Sequence, residues 1–125
     1  MGTKVMVVDD SMMVRQQVGR ALVAAGFEVV EGKDGMDGLE KIKATPGVAL
    51  VVCDVNMPRM NGLEFLEGLR ADPAFAHVVV LMLTTEGQPE LVQRARALGA
   101  KGWIVKPFKA DLLVATVKKL TAQAA

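Results

Sequence analysis

The run VALVVCDVNMPRMNG, Val48 to Gly62, constrains the fold more than any other stretch of the chain. Apolar residues run without a break from Val48 to Cys53, stop at Asp54, and give way to a Pro, Arg, Asn and Gly group. A short run that is apolar at every position reads as a strand buried on both faces, which is the habit of parallel sheets. In open α/β sheets, ligands sit at the carboxyl ends of the strands. Asp54 is therefore aimed at a site, although a lone Asp in this place also serves as an ordinary turn starter.

The same pattern recurs along the chain. Val5 to Val8 predicts a strand ending in Asp9, Asp10 and Ser11. Val14, Val18, Ala21, Leu22 and Ala25 follow at helical spacing, with Ser11 or Asp10 as N-cap and Gly26 at the end. Phe27 to Glu31 predicts a strand. Asp34 caps a helix carrying Met36, Leu39 and Ile42, and Thr45-Pro46-Gly47 breaks it. Beyond Asp54, Asn61 with Glu64 resembles a capping box that opens a helix running to about Arg70. Val78 to Leu83 predicts a fourth buried strand, ending in Thr84-Thr85-Glu86. Pro89 suits a first helical position, and Leu91, Val92, Ala95 and Leu98 continue to Gly99. Trp103 to Val105 is the last strand, Lys106-Pro107 follows it, and Leu113, Val117 and Leu120 stripe the last helix.

Strand and helix thus alternate five times. That order predicts an α/β fold with a parallel five-stranded sheet, helices on both faces and right-handed crossovers. At 125 residues, the chain fits one domain, residues 1–125, able to bury a core without disulfides.

Charge and cysteine usage narrow the setting. The 15 basic and 14 acidic side chains form no long run of either sign, which argues against a nucleic-acid partner. The single Cys53 lies inside an apolar run and reads as a small hydrophobe in a reducing compartment. No stretch approaches the roughly 20 apolar residues that span a bilayer, and MGTKVMVVDD lacks a signal-peptide core. These features predict a cytoplasmic protein with no membrane insertion.

The strand ends bring chemistry to one edge of the sheet: Asp9 and Asp10, Asp54, Thr84, and Lys106. Carboxylates held close together repel one another unless a cation intervenes. Oxygen ligands without His or Cys favour magnesium or calcium, and few carboxylates with retained waters suit magnesium. Lys106 adds a positive charge and Thr84 a hydroxyl, which together suit an incoming phosphoryl group. A carboxylate can be the nucleophile of such a transfer, and Asp54 is the candidate.

VVDDS, CDVNMPRMNG, LTT and KGWIVKPF together resemble the receiver domain of two-component response regulators, along the whole chain. The likeness is strongest to the short chemotaxis members, through DVNMPRMNGLE and LMLTTEG. It implies a flavodoxin-like (βα)5 fold, doubly wound, with strand order 2-1-3-4-5. It implies that Asp54 accepts a phosphoryl group from a sensor histidine kinase. Asp10 and Asp54 would ligate Mg2+ directly, Asp9 largely through water, and Asn56 through its backbone carbonyl. Lys106 would contact the phosphoryl oxygens, and Thr84 and Trp103 would form the switch. Asn56 and Glu86 would tune dephosphorylation, and their identities imply a short-lived phosphoform. An output protein would bind the fourth helix, fifth strand and fifth helix, including Val92, Arg96, Trp103 and Val105. Such a chain is a switch that catalyses only its own phosphorylation and dephosphorylation, and its end soon after the fifth helix implies a stand-alone regulator.

Two positions depart from the family: Trp103 replaces the usual Tyr or Phe, and Lys109 stands where Ser or Thr often caps the last helix. The family's bond at Lys106-Pro107 is usually cis. Two other readings fit less well. A phosphoryl-transferring hydrolase with an Asp nucleophile usually places its two acids one residue apart, whereas Asp9 and Asp10 are adjacent. A flavin or nucleotide binder wants a Gly- or Thr-rich phosphate loop, and DDSMM supplies acids instead. Met12, Met13, Met57, Met60 and Met82 read as packing and loop surface rather than a soft-metal site. His77 is placed at the far end of its strand and reads as structural or exposed.

Overall fold

The computed structural model describes residues 2–55, 57, 60–84 and 89–124, the side chains of 123 and 124 excepted. Among them run β1 (Lys4–Val8), α1 (Met12–Ala24), β2 (Glu28–Gly32), α2 (Gly35–Ala44) and β3 (Val48–Asp54). The chain continues with α3 (Gly62–Ala71), β4 (Val79–Thr84), α4 (Pro89–Ala97), β5 (Gly102–Val105) and α5 (Ala110–Ala124). The five strands are parallel and lie in the order β2-β1-β3-β4-β5, the flavodoxin-like arrangement.

Alternation along the strands feeds two cores. Met6, Val8, Val51, Cys53, Val80 and Met82 pack with Ile42 of α2, Leu66 and Leu69 of α3 and Ala95 of α4. Val5, Val7, Leu50, Val52, Leu81 and Ile104 pack with Val18 and Leu22 of α1 and Leu113, Val117 and Leu120 of α5. The sheet is therefore covered on both faces, which is why its central strands read as continuous apolar runs.

The helix ends follow their cap residues. Ser11 accepts from the Val14 N–H at 3.3 Å, Asp34 caps α2, and Asn61 and Glu64 form the full capping box of α3. Gly26, with φ +98°, follows α1 in the left-handed conformation that closes helices. Lys109 precedes α5, its carbonyl accepting from the Leu113 N–H at 3.1 Å. The Lys106-Pro107 bond is cis. β2 runs one residue later than the pattern indicated, because as an edge strand it is half exposed and its apolar alternation is weak. Among the described residues, no helix is long and apolar enough to cross a membrane.

At the sheet edge opposite the strand carboxyl ends, Arg70 donates to four main-chain carbonyls. These are Leu98 (2.8 Å), Val78 (2.9 Å), Ala76 (3.1 Å) and Gly99 (3.3 Å). One guanidinium thus joins the end of α3 to the entry of β4 and the exit of α4.

Candidate functional site

Parallel strands point their carboxyl ends the same way, so the residues ending β1, β3 and β4 share one edge with Lys106. Asp54 is the last residue of β3 and pairs with Leu83, so the ladder fixes its backbone. Its neighbour Gly62 opens α3, and the Gly62 N–H donates to the Val55 carbonyl at 2.9 Å. A Cβ at Gly62 would collide with the Asp54 carbonyl oxygen. Only glycine lets α3 begin this close to the acid.

Asp9, Asp10 and Asp54 each place a carboxylate oxygen within 4.8 Å of the others. Asp9 and Asp54 are 1 % and 6 % exposed, whereas Asp10 faces solvent. Lys106 Nζ donates to Asp9 Oδ2 at 2.9 Å and lies 3.5 Å from Asp54 Oδ2. The ammonium offsets part of the repulsion within the group. The Lys106 N–H donates to the Thr84 carbonyl at 2.6 Å, and Thr84, fully buried, is paired with Val105.

The donor set suits a hard divalent cation: the grouped ligand atoms are all carboxylate oxygens, two from buried residues and one from an exposed residue. Cys53 is adjacent in sequence but supplies no thiolate. Burial pushes its thiol well above the ordinary value, and the Asp54 and Asp9 carboxylates push the same way. The thiol donates instead to the Asp54 carbonyl at 3.4 Å.

Trp103 pairs with Met82 and packs against the core beneath α3 and α4. Its indole Nε1 is buried without a hydrogen-bond partner among the described residues. Val92, Arg96 and Trp103 line one small cleft of about 80 Å³, together with Lys101. Val105, the last residue of β5, is 48 % exposed. These four candidate contact residues therefore lie along α4 and β5. Asn56 and Glu86 lie outside the described residues.

Arg15 has no motif to announce it, yet its Nη1 donates to the Asp9 carbonyl at 2.6 Å. His77 is exposed at the far edge, as its position indicated. Met57 and Met82 are buried and Met60 packs on the same core, whereas Met12 and Met13 are exposed.

Residues 5–118 match the response regulator receiver domain family. The chemotaxis protein CheY of Treponema pallidum is 47% identical over 107 residues, which is 84% of this chain and 73% of that protein. The chemotaxis protein CheY1 of Helicobacter pylori is 38% identical over 111 residues, 88% of this chain and 90% of that one. Among solved structures, Vibrio cholerae chemotaxis protein CheY4 superposes with a TM-score of 0.90 at 40% identity, covering 96% of this chain and 99% of that one.

Proposed function

The chain belongs to the response regulator receiver domain family and is CheY-like, and we propose that Asp54 is the phosphoryl acceptor of a two-component switch. The observation that carries this reading is the Lys106 ammonium between Asp9 Oδ2 and Asp54 Oδ2, with Asp10 completing the acidic group. An Asp54 carboxylate oxygen would attack the phosphorus of a phosphohistidine on a sensor kinase. The new bond joins that oxygen to phosphorus, the phosphorus–nitrogen bond breaks, and the imidazole keeps the electron pair. Lys106 would neutralise a phosphoryl oxygen, and the Thr84 hydroxyl would donate to another. Asp9, Asp10 and Asp54 would hold Mg2+, with the Asn56 carbonyl as a further ligand. When bound, the cation supplies positive charge to the transferred group.

Thr84 and Trp103 would carry the change to α4, β5 and α5, where an output protein binds through Val92, Arg96, Trp103 and Val105. Asn56 and Glu86 would set how quickly the phosphoform is lost. The chemistry is confined to the chain's own phosphorylation and dephosphorylation, in the cytoplasm, and the likeness to chemotaxis proteins favours a motility pathway.

The test is intact-mass spectrometry after incubation with acetyl phosphate and Mg2+, beside Asp54→Asn and a chelator control. One phosphoryl increment, absent from both controls, is the expected result. An increment that survives Asp54→Asn would assign the acceptor elsewhere.

A further inference from the structure

Asp9 is held at four points. Its N–H donates to the Gly32 carbonyl at 3.1 Å, and its Oδ1 accepts from the Ser11 N–H at 2.9 Å. Its Oδ2 accepts from Lys106 Nζ at 2.9 Å, and its own carbonyl accepts from Arg15 Nη1 at 2.6 Å. The last contact differs in kind from the others. That carbonyl belongs to the peptide unit joining Asp9 to Asp10, and because the unit is planar, its direction fixes where the Asp10 Cα stands.

Arg15 is itself oriented. It stands one turn into α1, with its N–H on the Ser11 carbonyl at 3.0 Å. Its Nε donates to Glu31 Oε1 at 3.1 Å, from the edge strand β2. The Arg15 side chain is 14 % exposed and that of Glu31 is 48 % exposed. A guanidinium is a rigid planar fork, so one nitrogen on the carboxylate sets the direction of another on the carbonyl. Lysine, a point charge on a flexible stem, cannot hold both in fixed relation.

We infer that Arg15, oriented by Glu31, is a positioning residue of the acidic pocket: it fixes the Asp9–Asp10 peptide and so sets the spacing of the carboxylates that receive the cation. The inference rests on the reading of that pocket as a divalent-cation site. Arg15 touches the backbone behind the pocket and none of the reacting atoms. A purely structural role, tying α1 to β2, would lower stability and leave cation affinity alone.

The experiment is Mg2+ titration of the full chain by calorimetry, with the Asp10 amide followed by NMR and urea unfolding measured in parallel. The variants are Arg15→Met, Arg15→Lys, Glu31→Gln, the Arg15→Met/Glu31→Gln double, and Arg20→Met. The last removes one positive charge from an exposed position of the same helix. Partners of metal ligands typically change affinity by about 10- to 100-fold. Arg15→Met is expected to weaken Mg2+ binding on the order of ten-fold and to shift the Asp10 amide. Arg15→Lys and Glu31→Gln fall between it and wild type, and Arg20→Met binds as wild type does. The double variant binds no more weakly than Arg15→Met, because Glu31 acts through Arg15.

Arg15→Met with a lowered unfolding midpoint and unchanged Mg2+ affinity would overturn the inference while leaving the cation site intact. Should Arg15→Met not fold, unchanged affinity in both Arg15→Lys and Glu31→Gln overturns it equally. A folded wild-type chain that binds no Mg2+ removes the cation reading itself, and the inference with it.

Discussion

Lys106 Nζ stands 2.9 Å from Asp9 Oδ2 and 3.5 Å from Asp54 Oδ2, so one ammonium is shared by two buried carboxylates. The contact brings together residues from the ends of β1 and β3 and from just beyond β5. It ties the charge balance of the acidic group to the Lys106 side chain.

Lys106→Met and Asp10→Asn are expected to move stability in opposite directions. Removing the ammonium takes the Lys106 ion pair away from two buried acids and costs roughly 3 kcal/mol. Removing the Asp10 charge relieves repulsion and stabilises the metal-free chain by about 1 kcal/mol. Urea unfolding without Mg2+ reads both. With Mg2+ at ten times its dissociation constant, wild type gains about 1.4 kcal/mol, a gain that Asp10→Asn loses.

Gly62→Ala is expected to destabilise by about 2 kcal/mol or more, the range of overpacking. The added methyl meets the Asp54 carbonyl, which belongs to the β3 backbone and cannot swing aside. Equilibrium unfolding measures the loss, and a stability equal to wild type would contradict the packing.

How much of this was legible beforehand divides by interaction range. The apolar runs, the Asn61–Glu64 capping box and the polar strand ends are local patterns, and the structure has them where the residues indicated. The Arg15 contact to Asp9, six residues away, and the Arg70 contacts, six to twenty-nine residues away, depend on how neighbouring elements pack. An arginine near a helix start or in a last turn is ordinary surface chemistry until the fold sets a carbonyl against it. The need for glycine at Gly62 has no local signal, because only the folded chain brings the Asp54 carbonyl to its α-carbon. The weak alternation of β2 belongs to an edge strand with one neighbour, β1.

Arg70→Met is expected to cost about 3 kcal/mol, since it leaves several carbonyls without their charged donor. Because these contacts lie at the opposite sheet edge from Asp54, Mg2+ affinity should stay within about two-fold of wild type in calorimetry, well short of the change expected of a ligand's partner.

Cys53 is expected to resist alkylation in the native protein and to react fully in denaturant. The folded thiol's pKa is raised, so less thiolate forms at any given pH than in the unfolded chain. The associated stability is fully present below the ordinary value of 9.0 and is lost as pH climbs above it towards the folded value. Iodoacetamide labelling at pH 8, read by intact mass, checks the first expectation, and unfolding between pH 8 and 10 checks the second.

Trp103→Phe is expected to change stability by less than about 1 kcal/mol. The smaller ring gives up apolar contact, and removal of the unpartnered indole N–H offsets that loss. Urea unfolding followed by circular dichroism measures the balance, since the variant has no tryptophan to report fluorescence.

The common direction of the strands gives the molecule a working rim and an anchoring rim, about 17 Å apart across a five-residue strand. His77, the chain's one histidine, is exposed on the anchoring rim. A dye, a surface tether or a reporter coupled there would leave the carboxylates and α4 unobstructed, so the protein comes with its own handle for watching the switch from behind.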